Sequence, residues 1–124
     1  MSGIGPTDAS ASPAPASPAP SAEEADLRRL PLAPCTPEQV AQRAVDFLVR
    51  YPGSAHAQEA RLWQARALEE SYWKTRSRGL AVRAVAAYRA AAQLAGPGKA
   101  EAEARIRALE ARRPSREGAV RVCR

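Results

Sequence analysis

Alanine constrains this chain more than any other residue type. The sequence of 124 residues contains 29 alanines, close to a quarter of the total, whereas aromatic residues make up only 5%. Alanine favours helices and buries little apolar area per residue. The composition therefore predicts an all-α fold of closely packed helices with a small apolar core, and it argues against a large β-sandwich. No apolar run approaches the roughly 18 residues of a membrane span, so no transmembrane segment is expected.

The beginning of the chain differs in composition from the rest. Residues 1–26 include a Pro/Ala/Ser tract at 10–22 without a large apolar side chain, which predicts a disordered linker. We expect an arm at residues 27–35, a helical domain at 36–113 and a tail at 114–124. The first residues show neither the charged start nor the apolar core of a secretory signal. This favours the cytoplasm unless the chain is a mature or partial form of a longer protein.

Capping and turn signals divide the helical domain into four segments. Thr36 and Gln39 form a capping box before the first helix, with Pro37 at its first position. Proline and glycine mark later turns at 52–53 and 96–98. The four predicted helices are antiparallel and span about residues 37–51, 54–72, 80–95 and 99–112.

Part of the domain follows a family pattern, which runs Phe47-Leu48-x-x-Tyr51-Pro52-x-Ser54-x-x-Ala57-x-Glu59-Ala60-x-x-Trp63-x-Ala65-x-Ala67. It continues with a small, an aromatic and a small residue at Ala84, Tyr88 and Ala91. Residues 37–97 thereby resemble tetratricopeptide-like repeats of bacterial envelope proteins. They are most similar to the C-terminal repeats of the Tol-Pal-associated cell-division coordinator family, and more loosely similar to the lipoprotein subunit of the β-barrel assembly machinery.

The resemblance implies α-solenoid stacking of the helices and a function. That function is a non-catalytic scaffold or adaptor of the periplasm or cell envelope, which binds a protein segment on a helical-repeat groove. In such arrays the first helix of each pair lines the inner face. Transferred to this chain, the partner-binding residues are Glu59, Leu62, Arg66, Glu69, Glu103, Arg107 and Glu110. Their mixed charges suit an extended peptide or a partner helix, although a solvated face with ion pairs between helical turns explains them as well.

Positive charge is concentrated after residue 35. Residues 36–124 carry 17 basic and 9 acidic side chains, a net +8. A candidate basic loop in this part interleaves an aromatic ring with cations and comprises Trp73, Lys74, Arg76 and Arg78. Such a cluster can stack bases and contact phosphates. We favour the alternative that the two flanking helices are longer by about a turn, with Trp73 packed on the core and the cations solvated. A protein is accordingly favoured over a nucleic acid as the partner.

Of the two cysteines, Cys35 lies just before the helical domain and Cys123 lies in the C-terminal tail. Four alternating helices bring the start of the first helix and the end of the last to one end of the molecule, and the tail can span up to about 30 Å. A disulfide is therefore geometrically possible; two free thiols are the alternative. His56 stands beside a helix start without a nucleophile, and no acid–base pair, phosphate loop or metal-ligand spacing is evident. We expect no enzymatic activity, metal, cofactor or small-molecule substrate. Two functional alternatives stay open: a small structural subunit of a larger assembly, and a basic nucleic-acid-binding module using residues 72–79.

Overall fold

The structure, a computed structural model, describes residues 21–32, 35–112 and 120–123. Within these ranges all regular secondary structure is helical, which confirms the all-α prediction. The helices are α1 (Ala22–Arg28), α2 (Pro37–Arg50), α3 (Ala57–Thr75), α4 (Arg78–Ala92) and α5 (Gly98–Glu110). The described part of the chain thus has five helices rather than four; α2 to α5 correspond to the predicted ones and α1 precedes them.

Helix α1 begins at a capping box that was not predicted from the sequence. The Ser21 hydroxyl accepts from the Glu24 N–H at 3.1 Å, and the Glu24 carboxylate accepts from the Ser21 N–H at 3.3 Å. The helix buries Leu27 and, just after it, Leu30 against Ala44, Phe47 and Ala60. The linker boundary expected at residue 26 therefore falls inside a helix, while the disorder predicted for residues 1–20 lies outside the described residues.

Helix α2 follows the predicted pattern at its start. The Thr36 hydroxyl accepts from the Gln39 N–H at 3.2 Å, and Pro37 occupies the first helical position. The apolar stripe then buries Val40, Ala44 and Phe47. This stripe turns α2 toward α3, its main packing neighbour.

Helix α3 is the central element and is covered on more than one side. It packs against α2 and α4 and also contacts α5. Its alanines Ala60 and Ala67 face clusters that include α2 residues, whereas Leu62, Ala65 and Leu68 belong to the cluster shared with α4 and α5. Small side chains at these contacts allow helix axes to approach closely.

One glutamine side chain joins the ends of three helices. Gln58, in the first turn of α3, donates through Nε2 to the carbonyl oxygens of Ala91 at 3.1 Å and Leu94 at 2.8 Å. Its Oε1 accepts from the Gly98 N–H at 3.1 Å. The last carbonyls of a helix and the first N–H groups of the next have no partners within their own helix. Gln58 supplies such partners for α4 and α5 and fixes the turn between them.

The connection between α3 and α4 is short, which confirms the favoured alternative of longer flanking helices. Helix α3 extends to Thr75 and α4 begins at Arg78, so only Arg76 and Ser77 link them. Arg76 adopts a left-handed conformation with φ 57°, which closes the C-terminus of α3. The candidate basic loop is therefore a tight corner between two lengthened helices.

Candidate interaction surfaces

Glu69, predicted to contact a partner, lies in the interior instead. Its side chain is 0% exposed. The carboxylate accepts from Tyr88 Oη at 2.7 Å and from Trp73 Nε1 at 2.8 Å, and it accepts two hydrogen bonds from the Arg105 guanidinium. Burial, reinforced by this carboxylate, raises the pKa of Tyr88. Glu69 thus joins α3 to α4 and α5 and corrects the expectation of a partner contact.

The neighbouring predicted residues on α3 are also used within the chain. Leu62 is buried in the main apolar cluster. Arg66 makes a bidentate pair with Glu101 of α5, with Nη2 to Oε1 at 2.6 Å and Nε to Oε2 at 2.7 Å. The predicted inner face of α3 is therefore covered by α5 at these positions, because helix packing turned the face inward.

The remaining predicted partner residues are exposed but dispersed. Glu59 lies near the start of α3, while Glu103, Arg107 and Glu110 lie on α5. Glu110 pairs with Arg89 of α4 at 2.9 Å. These exposed side chains and the three covered ones do not form one surface.

A groove on another face runs across α3 between α2 and α4. We call it the α2–α4 groove; its volume is about 490 Å³. Apolar side chains on its floor come from three helices: Ala41, Val45, Leu68 and Leu80. The polar residues that line it are Thr36, Glu38, Gln42, Gln64, Ser71, Lys74, Thr75 and Arg83. The groove was not predicted from the sequence, although Ala41 and Val45 are spaced i, i+4 beside the buried stripe of α2.

Cations gather at the end of the bundle where α3 passes into α4. Hollows at this end are lined by six of them, which we call the basic end: Lys74, Arg76, Arg78, Arg83, Arg112 and Arg121. The candidate basic-loop residues all lie here, but Trp73 is half-buried and packs against the core. The Arg76 guanidinium lies 4.9 Å from the centre of its ring, and Lys74 pairs with Glu70 at 3.2 Å.

The predicted bridge between Cys35 and Cys123 is present, with the two Cα atoms 5.8 Å apart. It holds residues 120–123 against the bundle. The Val122 side chain is buried beside Val40 and Ala67, and its N–H donates to the buried Glu70 carboxylate at 2.7 Å. The bridge therefore closes the same end of the molecule that carries the cations.

A polar cluster fastens α1 at the opposite end. The Asp26 carboxylate accepts from Tyr51 Oη at 2.7 Å and from Arg50 at 2.8 Å. The Tyr51 hydrogen bond, followed by the hydrogen bond from Arg50, holds the pKa of Asp26 below its ordinary value. His56 is the N-cap residue of α3, and its N–H donates to the Ser54 hydroxyl. No group of three or more His, Cys, Asp and Glu within residues 21–32, 35–112 and 120–123 is arranged to hold a metal ion.

Comparison of the chain with protein-family models, with curated proteins and with solved structures gives no match. Among the helices that the structure describes, none is both long enough and apolar enough to cross a membrane.

Proposed function

We propose that this chain is a non-catalytic interaction module, a scaffold or adaptor that binds a segment of another protein in the α2–α4 groove. The groove itself carries the proposal. Its floor is apolar and its rim is polar, and three different helices build it. Grooves of this composition accept the apolar face of a helix or the alternate side chains of an extended peptide.

The internal polar contacts support a structural rather than a chemical use of the charged side chains. Glu69 with Arg105, Arg66 with Glu101, and the Gln58 amide all hold one helix to another. Each of these contacts fixes one helix against another, as a rigid helical scaffold requires. A scaffold of this kind presents a fixed groove and requires no moving catalytic group.

Three observations support a place in the bacterial cell envelope and a tetratricopeptide-like stacking. Disulfides persist mainly in oxidising compartments such as the periplasm. The bridge between Cys35 and Cys123 therefore favours such a compartment. The residue pattern from Phe47 to Ala67 resembles repeats of envelope scaffolds. The helices also follow one another in packing, since α3 lies between α2 and α4, and α5 packs on α4.

Site-specific photo-crosslinking tests the proposal. A benzophenone amino acid at Gln42, on the groove rim, is compared with the same group at Gln93, an exposed position outside the groove. In an extract of the source cells we expect discrete protein adducts at position 42 and none of the same size at position 93. Val45→Arg, which fills the floor, is expected to remove these adducts while the helical circular dichroism is retained.

Two outcomes would overturn the proposal. One is equal adduct formation at the two positions, because it would show that contact is not localised to the groove. The other is adducts at position 42 that Val45→Arg leaves unchanged, because the floor would then play no part.

A further inference from the structure

We infer that the α2–α4 groove and the cations of the basic end that adjoin it, Lys74, Arg83 and Arg121, form one binding surface for an acidic amphipathic segment of a partner protein. The apolar side chains of that segment lie on the groove floor, and its carboxylates face the cations. This inference rests on the proposed function and adds the chemistry of the partner.

The first observation behind this inference is an excess of unpaired cations at the basic end. Of its cations, Arg78, Arg83, Arg112 and Arg121 make no ion pair with any residue in the described parts of the chain. The nearby carboxylates are largely committed. Glu70 accepts from Lys74 and Val122, and Glu110 pairs with Arg89, which leaves Glu38 on the groove rim. The unpaired cations give this end a positive potential that attracts negative charge.

The second step is that three cations of the basic end adjoin the apolar floor. Leu80 and Arg83 of α4 line the same groove, and Lys74 lines both the groove and the hollow beside the disulfide, which Arg121 also lines. A bound segment that lies on Ala41, Val45 and Leu80 therefore reaches cations along one side. Opposite charges placed this way speed association and fix the register of the bound segment.

The contacts and charge of this surface argue against two other occupants, a nucleic acid and a second copy of this chain. The Trp73 ring is half-buried, donates its N–H to Glu69 and stacks with Arg76, so it does not offer a free face to a nucleic-acid base. A second copy of this chain carries a net charge of +6 and would bring like charge to the basic end. An acidic protein segment satisfies both the floor and the cations.

Fluorescence anisotropy with designed peptides tests the inference on the full chain. The probe is a labelled amphipathic helical peptide as long as α2, with leucine on one face and glutamate on the other. A matched peptide carries lysine in place of glutamate, and an oligodeoxythymidylate of similar length represents nucleic acid. We expect the glutamate peptide to bind at least about tenfold more tightly than either of the others, with an affinity that falls as salt rises.

Charge-reversal variants locate the binding. Arg83→Glu with Arg121→Glu is expected to weaken binding of the glutamate peptide about tenfold. The control, Arg28→Glu with Lys99→Glu, changes the net charge equally at exposed positions away from the basic end and is expected to leave the affinity within about twofold. Arg83 and Arg121 are both exposed and make no ion pair within the described residues, so the test pair is expected to keep its fold by circular dichroism.

Three results would overturn the inference: equal binding of the two peptides, equal loss in the two double variants, or tighter binding of the oligonucleotide. Failure of the peptide experiment together with localised crosslinks at Gln42 would remove only the acidic chemistry and leave the proposed function standing. Absence of localised crosslinks would contradict the proposed function itself, whatever the peptides do.

Discussion

Glu69 is the residue on which the packing of α3, α4 and α5 converges. A buried carboxylate is tolerated only when its lone pairs are satisfied and its charge is balanced. Tyr88, Trp73 and Arg105 meet both conditions. The cost of breaking this arrangement is therefore much larger than the cost of removing an exposed charge.

Glu69→Ala is expected to lower the free energy of unfolding by about 3 to 5 kcal/mol, because Arg105 would lose its partner in a largely buried position. Tyr88→Phe removes one charged hydrogen bond and is expected to cost about 1.5 kcal/mol. Urea unfolding followed by circular dichroism measures both. Glu103→Ala, exposed on α5, is the matched control and should change stability by less than about 0.5 kcal/mol. A similar small loss for Glu69→Ala would contradict the buried network.

The packing of α1 on the bundle is expected to weaken at acid pH, because the ionised Asp26 carboxylate helps to hold it. Its pKa is lowered in the folded chain, so its stabilising contribution is complete above the ordinary value of 3.8 and is lost as the pH falls through the lower folded value. Carbon-detected NMR titration of the carboxyl group checks this. Tyr51→Phe should move the pKa of Asp26 upward, since the Tyr51 hydrogen bond contributes most to the shift. An unchanged pKa in this variant would contradict the assignment.

At the scale of the helices, two glycines in similar positions are expected to respond in opposite ways to alanine. Both lie in the first turn of a helix, Gly79 in α4 and Gly98 in α5. A Cβ on Gly79 would meet only the Ser77 hydroxyl at 3.8 Å, whereas a Cβ on Gly98 would lie 2.5 Å from Leu62 Cδ1 and 3.1 Å from the Gln58 amide. The space around the added Cβ, rather than helix propensity, therefore decides whether alanine stabilises or destabilises the fold.

Gly79→Ala should raise the free energy of unfolding by about 0.5 kcal/mol, because alanine restricts the unfolded chain. Gly98→Ala should lower it by about 1 to 3 kcal/mol through overpacking. Thermal unfolding of the two variants side by side checks the difference. Stabilisation by both substitutions would show that α5 does not approach α3 as closely as described.

The helices themselves were largely predictable from the sequence. Thr36 and Pro37 mark the start of α2 through chemistry that is local in sequence, and the apolar stripe of α2 gives its buried face. The α3–α4 corner was predicted only as the favoured one of two alternatives. The polar run around Arg76 resembles a loop, but packing of Trp73 on the core stabilises an extra helical turn, which is a tertiary effect.

At the scale of the whole molecule, one covalent link closes nearly the entire fold. The bridge joins residues 88 positions apart, so it restricts the unfolded chain strongly. The apolar clusters are built largely from alanine, which contributes little area per residue. The bridge is therefore a large part of the total stability.

Cys35→Ser with Cys123→Ser is expected to lower the free energy of unfolding by about 4 kcal/mol. The same loss should appear when the unaltered protein is unfolded in urea with a reducing agent. Unfolding of the double variant should not change when the reducing agent is added, so the double variant serves as the control. Equal unfolding midpoints with and without reductant would contradict a bridge of this importance.

The candidate site was far less predictable than the helices. Transfer of family positions placed Leu62 and Glu69 on an open face, but the contact between α3 and α5 covers both. The α2–α4 groove combines residues from three helices that are distant in sequence. Such a surface depends on how the helices pack together, which the periodicity of a single helix does not encode.

Competition at the groove shows whether the partner protein and the acidic peptide share one binding surface. The yield of protein adducts from the benzophenone at Gln42 is measured while the glutamate peptide is added, with the lysine peptide in a parallel series. Binding of both ligands to one surface predicts that the glutamate peptide suppresses the adducts in proportion to its occupancy and that the lysine peptide does not. Adducts that persist when the glutamate peptide saturates the protein would contradict a single acidic-segment site.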